Sequence, residues 1–405
     1  MNSKFHSGSR PVWLLICGII LISATMRAPL TSVGPLAGAI RDQLHLSNAM
    51  AGSMTTLPLI AFALFSPFAP GLARRFGMRP VLFSAILVLG AGILLRSASG
   101  SVSLFLGTAL LGVAIAVCNV LMPALVKREF PGRIGSVTGV YSVSMNLFGA
   151  IGSGISIPIA VFWGWQGALG VWSALCLAAL LLWLPLVRGR GAEAAVEARR
   201  GGTQSGLLRS PLAWEVTLFM GLQSLTFYVA IAWLPEILAE RGIPADRAGL
   251  LLSVMQLSQL PFTFIVPVIA ARMSHQRWLA AAGSLLLLIA FLGLLYGGTQ
   301  WILLWMIIFG IGGGGTFSLA MMFFNLRTES SQQAAELSGM AQSFGYLLAA
   351  VGPALFGYIH DVTHSWHIPL LLMVAVSVAL FFCGLGAGSN RLVGAAARRT
   401  EIAAS

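Results

Sequence analysis

The segment ISATMRAPLTSVGPL, residues 22–36, sets Arg27 near the middle of the first long apolar stretch of the chain. A guanidinium at the centre of a membrane helix costs about 2.5 to 3.5 kcal/mol on insertion scales, so it needs a partner, a water-filled cavity or a ligand. Ser23, Arg27 and Thr31 recur at i, i+4 and i+8, followed by Gly34, which places the arginine on a polar, small-residue stripe facing a bundle interior. No carboxylate shares its depth. The acidic residues fall in loops or near the ends of apolar runs, with Glu215, Glu329 and Glu336 toward one face and Asp42, Glu236, Glu240, Asp246 and Asp361 toward the other. An unpaired planar fork in a closed cavity attracts an anion and suits two-point binding of groups such as nitro or carboxylate. The competing reading is a strut, with Arg27 pinned by carbonyls and hydroxyls of neighbouring helices.

Neutral side chains at matching depths extend the candidate site. An offset of 196 or 197 carries Arg27 onto Gln223 or Ser224, with Phe227 and Tyr228 one turn further. Asn119 is the strongly polar midspan residue of the fourth apolar run, and Gln256 and Gln259 play that part in the eighth. The fifth run carries Thr138, Ser142, Asn146, Gly149 and Ser153 on one stripe, and the eleventh carries Ser338, Gln342, Tyr346, Ala349 and Pro353 at the same positions plus 200. Amides and hydroxyls offer donors and acceptors without a charge to desolvate. Such residues also tie helices together, at about 0.6 kcal/mol per pair, so each has a static reading beside the functional one. The expected substrate contacts are Arg27, Gln223, Tyr228, Asn119, Asn146, Gln256, Gln342 and Tyr346.

The elements that must hold these residues follow from composition. The 405 residues are 57% hydrophobic and 9% charged, where a soluble domain has roughly 25% charged. Runs long enough to cross the hydrocarbon layer are drawn at 12–40, 48–70, 79–97, 102–126, 135–161, 165–187, 213–235, 247–270, 278–297, 301–325, 333–359 and 366–387. This predicts an all-α protein of twelve transmembrane helices. With the N-terminus inside, 19 of the 24 Lys and Arg residues lie in cytoplasmic segments and four, Arg41, Arg96, Arg241 and Arg247, lie outside. That bias predicts an inner-membrane protein of bacterial type with both termini cytoplasmic. The basic N-terminal head resembles a signal peptide, but its apolar run continues without a convincing cleavage site and reads as a retained helix.

The net charge of +12 is spread through short loops rather than gathered on a reading face, which excludes nucleic acid as a partner. The four cysteines lie in apolar runs without a C-x-x-C, so neither a disulfide framework nor a metal site is indicated, and no cofactor is expected. The polar stretch 188–210 divides the chain into six-helix bundles at 1–187 and 211–405. An internal repeat supports the division. Gly52 meets Gly249, Pro70 meets Pro267 and Arg75 meets Arg272 at an offset of 197, and Gly139 meets Gly339 and Gly152 meets Gly352 at 200. Parallel six-helix repeats place a substrate site at their interface near the midplane.

The loop GLARRFGMRP, residues 71–80, is similar to the G-x-x-x-D-R-x-G-R-R signature of the major facilitator superfamily, matching at Gly71, Arg75, Gly77 and Arg79. Arg74 stands where the signature has Asp, which puts the charge latch of that loop in question. Across nearly the whole chain, MRAPLTSVGPL, RSPLAWEVTLF, WLPEIL, ELSGMAQSFGYLLAAVGP and GYIHD resemble the cyanate and 2-nitroimidazole transporter family, and its nitroimidazole branch more closely. The resemblance implies movement of a small, planar or linear, anionic or weakly acidic nitrogen compound, and the expected state of the chain is a monomer. The alternative is a multidrug exporter of neutral or cationic compounds, which needs an acidic residue in the cavity. A membrane enzyme or receptor-like scaffold would need a midspan catalytic cluster or an appended soluble domain, and neither is visible. His360 and Asp361, near the outer end of the eleventh run, are candidates for a titrating gate. The run GIGGGGTF, residues 310–317, lies inside a span with no Lys-Ser/Thr after it, so it predicts close helix approach or a hinge rather than a phosphate cradle.

Overall fold

The computed structural model describes residues 12–187 and 207–393, so most of the expected linker, 188–206, lies outside the described residues. The N-terminal half comprises α1 (Val12–Thr31), α2 (Val33–Leu44), α3 (Asn48–Phe65), α4 (Ala69–Phe76), α5 (Met78–Arg96), α6 (Ser101–Glu129), α7 (Ile134–Gly170) and α8 (Trp172–Val187). The C-terminal half comprises α9 (Pro211–Glu240), α10 (Ala245–Ala270), α11 (Arg277–Tyr296), α12 (Ile302–Leu326), α13 (Ser331–Thr363) and α14 (His367–Ala387).

Among the described residues twelve passes result, with three departures from the sequence boundaries. The first run is two helices, α1 and α2, joined at Ser32. Pro29 has no N–H to give to the preceding turn, and its own carbonyl is taken by the Ser32 hydroxyl at 3.1 Å and by Arg96 Nη2 at 2.8 Å. The second run is α3 and α4 with a single 3-10 turn, Ser66–Phe68, between them. The fifth and sixth passes form one apolar stretch of 57 residues, Pro131–Val187, that reverses at Gly164. Gly164 has φ 66° and ψ 175°, a conformation that a side chain would strain.

Pairing of the helices reproduces the repeat. α7 packs on α1 as α13 packs on α9, α5 on α6 and α11 on α12. Between the halves, α7 lies on α10 and α13 lies on α3. Gly139 and Gly339, matched at the offset of 200, occupy equivalent crossings. The first abuts the Phe264 backbone of α10, and the second abuts the Ser66 carbonyl after α3. A 6+6 arrangement about a pseudo-twofold axis explains both with one rule.

The seam is packed at the face carrying most of the basic residues. There Arg74 binds Glu336 at 2.8 Å, Lys127 caps the Asn325 and Thr328 carbonyls at the end of α12, and the Ser343 hydroxyl donates to the Ala63 carbonyl. Gly34, Gly38, Gly52, Gly154 and Gly249 toward the opposite face are open, with no atom within 4 Å of where a Cβ would stand, as are Gly71 and Gly132 at the basic face.

Candidate substrate site

Arg27 sits where the halves meet, on the stripe of α1 that faces α7. Ser23 spends its hydroxyl within α1 on the Ile19 carbonyl at 2.7 Å, and Thr31 docks α1 on α7 by donating to the Gly149 carbonyl at 2.7 Å. Its Nη1 lies 3.5 Å from the Tyr228 hydroxyl, and its guanidinium carbon stands 5.2 Å from the Phe227 ring centre and 5.8 Å from that of Phe317. The carboxylates that form ion pairs among the described residues are all bound elsewhere. The cation is therefore held by aromatic faces and one long hydrogen bond, contacts worth about 0.5 to 2 kcal/mol each, and its fork keeps donors for a ligand.

The pocket beside it is nearly closed, about 20 Å³ or room for a single water, and is lined by Arg27, Gln223, Ser224, Thr226, Phe227, Tyr228, Gln259, Phe309, Gly313, Phe317 and Tyr346. Four of the eight expected contacts, Arg27, Gln223, Tyr228 and Tyr346, are thus brought together. Gln223 is buried, its amide donating to Ser224 Oγ at 2.7 Å and the Met220 carbonyl at 3.1 Å. Tyr346 packs against Phe62 at 5.0 Å and Tyr228 at 6.5 Å between ring centres, so the tyrosine beside Arg27 is backed by two further rings.

The other four stand apart from this cavity. Asn119 is half-buried in α6 and is not among its lining. Asn146 bridges the seam instead, donating to Thr263 Oγ1 at 3.4 Å. Gln342 is buried nearer the basic face, its amide on Ser338 Oγ at 2.8 Å. Gln256 yields to Gln259, one turn further along α10, which faces α12 and lines the cavity. Phe309, Gly313 and Phe317 come from α12, a helix for which hydropathy offers no contrast between lining and packing positions. The glycine run there is a close crossing: side chains at Gly310 and Gly314 would strike the Met255 and Gln259 backbones of α10.

A static arginine does exist, at a different position. Arg96, expected in an outer loop, is fully buried, with Nη2 on the Pro29 carbonyl and its other nitrogens without a protein partner. It braces the break between α1 and α2 just beyond Arg27.

The loop signature is reassembled with altered charges. Gly71 lies at the mouth of a surface groove, Gly77 at φ 87° turns α4 into α5, and Arg75 stands exposed with its guanidinium 5.2 Å from the Phe76 ring. Arg79 binds Glu129 at the end of α6 at 2.9 Å. Arg74, in place of the signature's acid, forms an ion pair with Glu336 at the start of α13, joining the two halves with the cation on the loop. His360 and Asp361 do not bridge the halves. His360 stacks on Trp366 at 4.2 Å and lies 3.6 Å from Glu240, both in its own half, while the Asp361 side chain is 83% exposed.

Two six-helix halves around a buried central cavity define a membrane carrier. The chain belongs to the major facilitator superfamily, whose family model matches residues 14–353 and again 216–388. Carriers of this superfamily move solutes and are not enzymes. The chain is 47% identical over 395 residues to an uncharacterised transporter of Bacillus subtilis (strain 168), YycB, covering 97% of this chain and 96% of that one. It is 43% identical over 379 residues to the 2-nitroimidazole transporter of Escherichia coli (strain K12), covering 93% and 96%. Identity to the cyanate transport protein CynX of the same organism is 28% over 351 residues, covering 86% and 90%. The chain is therefore closer to the nitroimidazole branch, as its motifs suggest.

Proposed function

We propose that the chain is an inner-membrane carrier, active as a monomer, that moves a small planar anionic or weakly acidic nitrogen compound by alternating access around Arg27. The observation that carries this reading is the pairing of an arginine lacking a carboxylate partner with two flanking phenyl rings, Phe227 and Phe317. A planar anion satisfies both demands, its acceptors on the guanidinium and its face between the rings. The names of the relatives, for 2-nitroimidazole and for cyanate, supply ligands of that chemistry. We place the basic face in the cytoplasm, which makes the packed seam the inner gate. The cavity lining has no acidic side chain, which disfavours the exporter of cationic compounds.

The test is a melting-temperature screen of purified protein against cyanate, nitroimidazoles, aromatic carboxylates and lipophilic cations, since a ligand of the folded state raises the midpoint. Stabilisation by planar anions supports the proposal. Stabilisation by cations alone overturns it.

A further inference from the structure

At the basic face a groove opens sideways from the seam, between the ridge of α3 and α4 and the ridge of α13. Along the first ridge Ile60, Leu64, Phe68, Leu72 and Phe76 recur every fourth residue and are 40% to 64% exposed. Along the second, Phe344, Leu347, Val351 and Leu355 are 43% to 54% exposed. Such ridges belong against hydrocarbon. The space between them, about 850 Å³, has apolar walls that include Phe68, Leu72, Met340 and Phe344, and its charged groups, Arg74, Arg75 and Glu336, belong to the basic end of the seam.

Charge in the groove is one-sided. Glu336 already accepts from Arg74 at 2.8 Å and from the Gln332 amide at 3.1 Å. Arg75 is exposed beside the Phe76 ring, and Glu336 is the one carboxylate in the described lining. An apolar groove that ends in one surplus guanidinium, that of Arg75, at the basic end of the seam has the chemistry of an anionic headgroup site.

We propose that this groove holds a single anionic phospholipid, its phosphate on Arg75 and Arg74 and an acyl chain against Phe68, Leu72, Met340 and Phe344. One wall belongs to each half. The lipid therefore fits while the seam is closed at the basic face and stabilises that arrangement relative to the one in which α4 and α13 part.

The protein is reconstituted in phosphatidylcholine nanodiscs with and without phosphatidylglycerol, released into mild detergent, and its retained lipid is counted by native mass spectrometry. Wild type should keep one phosphatidylglycerol in preference to phosphatidylcholine. Arg75→Gln should lower that retention about fivefold, the effect of one basic side chain at an anionic surface, and Phe68→Ala should lower it through the acyl chain. Unchanged melting temperatures certify that both variants fold. Equal retention of the two lipids, or retention unaffected by Arg75→Gln, overturns the proposal. So does full displacement by inorganic phosphate, which marks a free-anion site, and so does lipid binding that emerges only when residues 190–205 are deleted, which marks the linker as the occupant.

Discussion

The guanidinium of Arg27 and the hydroxyl of Tyr228 meet across the seam at 3.5 Å, although the residues are 201 positions apart. At that length the hydrogen bond is weak. It joins the two halves at the cation without satisfying it, so a ligand held by the guanidinium, as proposed above, would lie against both halves.

Replacing Arg27 separates an anchor from a strut. Arg27→Gln should fold with an unchanged or slightly higher melting temperature, because the charge lacks a carboxylate to lose. Ligand affinity should fall roughly 30- to 1000-fold, about 2 to 4 kcal/mol for a charge-assisted two-point contact, and Arg27→Lys should restore only part of it. A destabilised glutamine variant that binds normally would sink the anchor assignment. Arg96→Gln, which removes the true brace at Pro29, should show the opposite pattern.

The phenyl rings should set preference for shape. Phe227→Leu or Phe317→Leu keeps apolar bulk but loses the ring face, worth about 0.5 to 1.5 kcal/mol. Affinity for a nitroimidazole should drop about 2- to 10-fold while that for cyanate changes little, read by titration calorimetry. Equal losses for both ligands would mean the rings only pack.

The ion pair of Arg74 with Glu336 predicts a charge-swap rescue. Its side chains are 36% and 16% exposed, so solvent screening limits the pair to about 1 kcal/mol. Arg74→Glu and Glu336→Arg should each loosen the basic face and reduce labelling of Gly34→Cys by a membrane-impermeant thiol reagent, in a background without the native cysteines. The double variant should recover labelling. Additive loss in the double variant would show that the two residues are not coupled.

Three neighbouring glycines of α12 should behave differently. Gly310→Val and Gly314→Val would push side chains into the α10 backbone, costing about 1 to 3 kcal/mol each and lowering the melting temperature. At Gly313 a methyl group would stand 3.8 Å from Phe309 and 3.9 Å from Gln259, so Gly313→Ala should fold well and weaken ligand binding instead. Melting curves with and without ligand distinguish the two classes.

Orientation is tested by reporter fusions. Fusions after residue 200 and at the C-terminus should report cytoplasm, and one at residue 243 should report the outside.

What could be read beforehand depended on contrast. Arg27, Gln223, Tyr228 and Tyr346 were legible because polar groups in apolar helices stand out and the repeat aligns their depths. Phe309 and Phe317 were not, since an apolar residue in an apolar span looks the same whether it meets lipid, a neighbour or a cavity. Gln256 and Gln259 lie three residues apart on nearly the same face, and only the packing of α12 selects the second. Arg96 ends its apolar run, so position alone suggests a loop. Its burial follows from the carbonyl of Pro29, a partner in a distant segment that spacing does not disclose. The basic-face ion pair of Arg74 is similar: the departure from the signature was visible, while the compensating acid 262 positions away was not.

That compensation restricts which halves can be combined. A chimera joining this chain's C-terminal half to the N-terminal half of a carrier with Asp at the position of Arg74 would set two carboxylates against each other where Glu336 now has a cation. The reciprocal chimera would leave Arg74 without its acid. Functional hybrids between such carriers should therefore require exchange at both positions together.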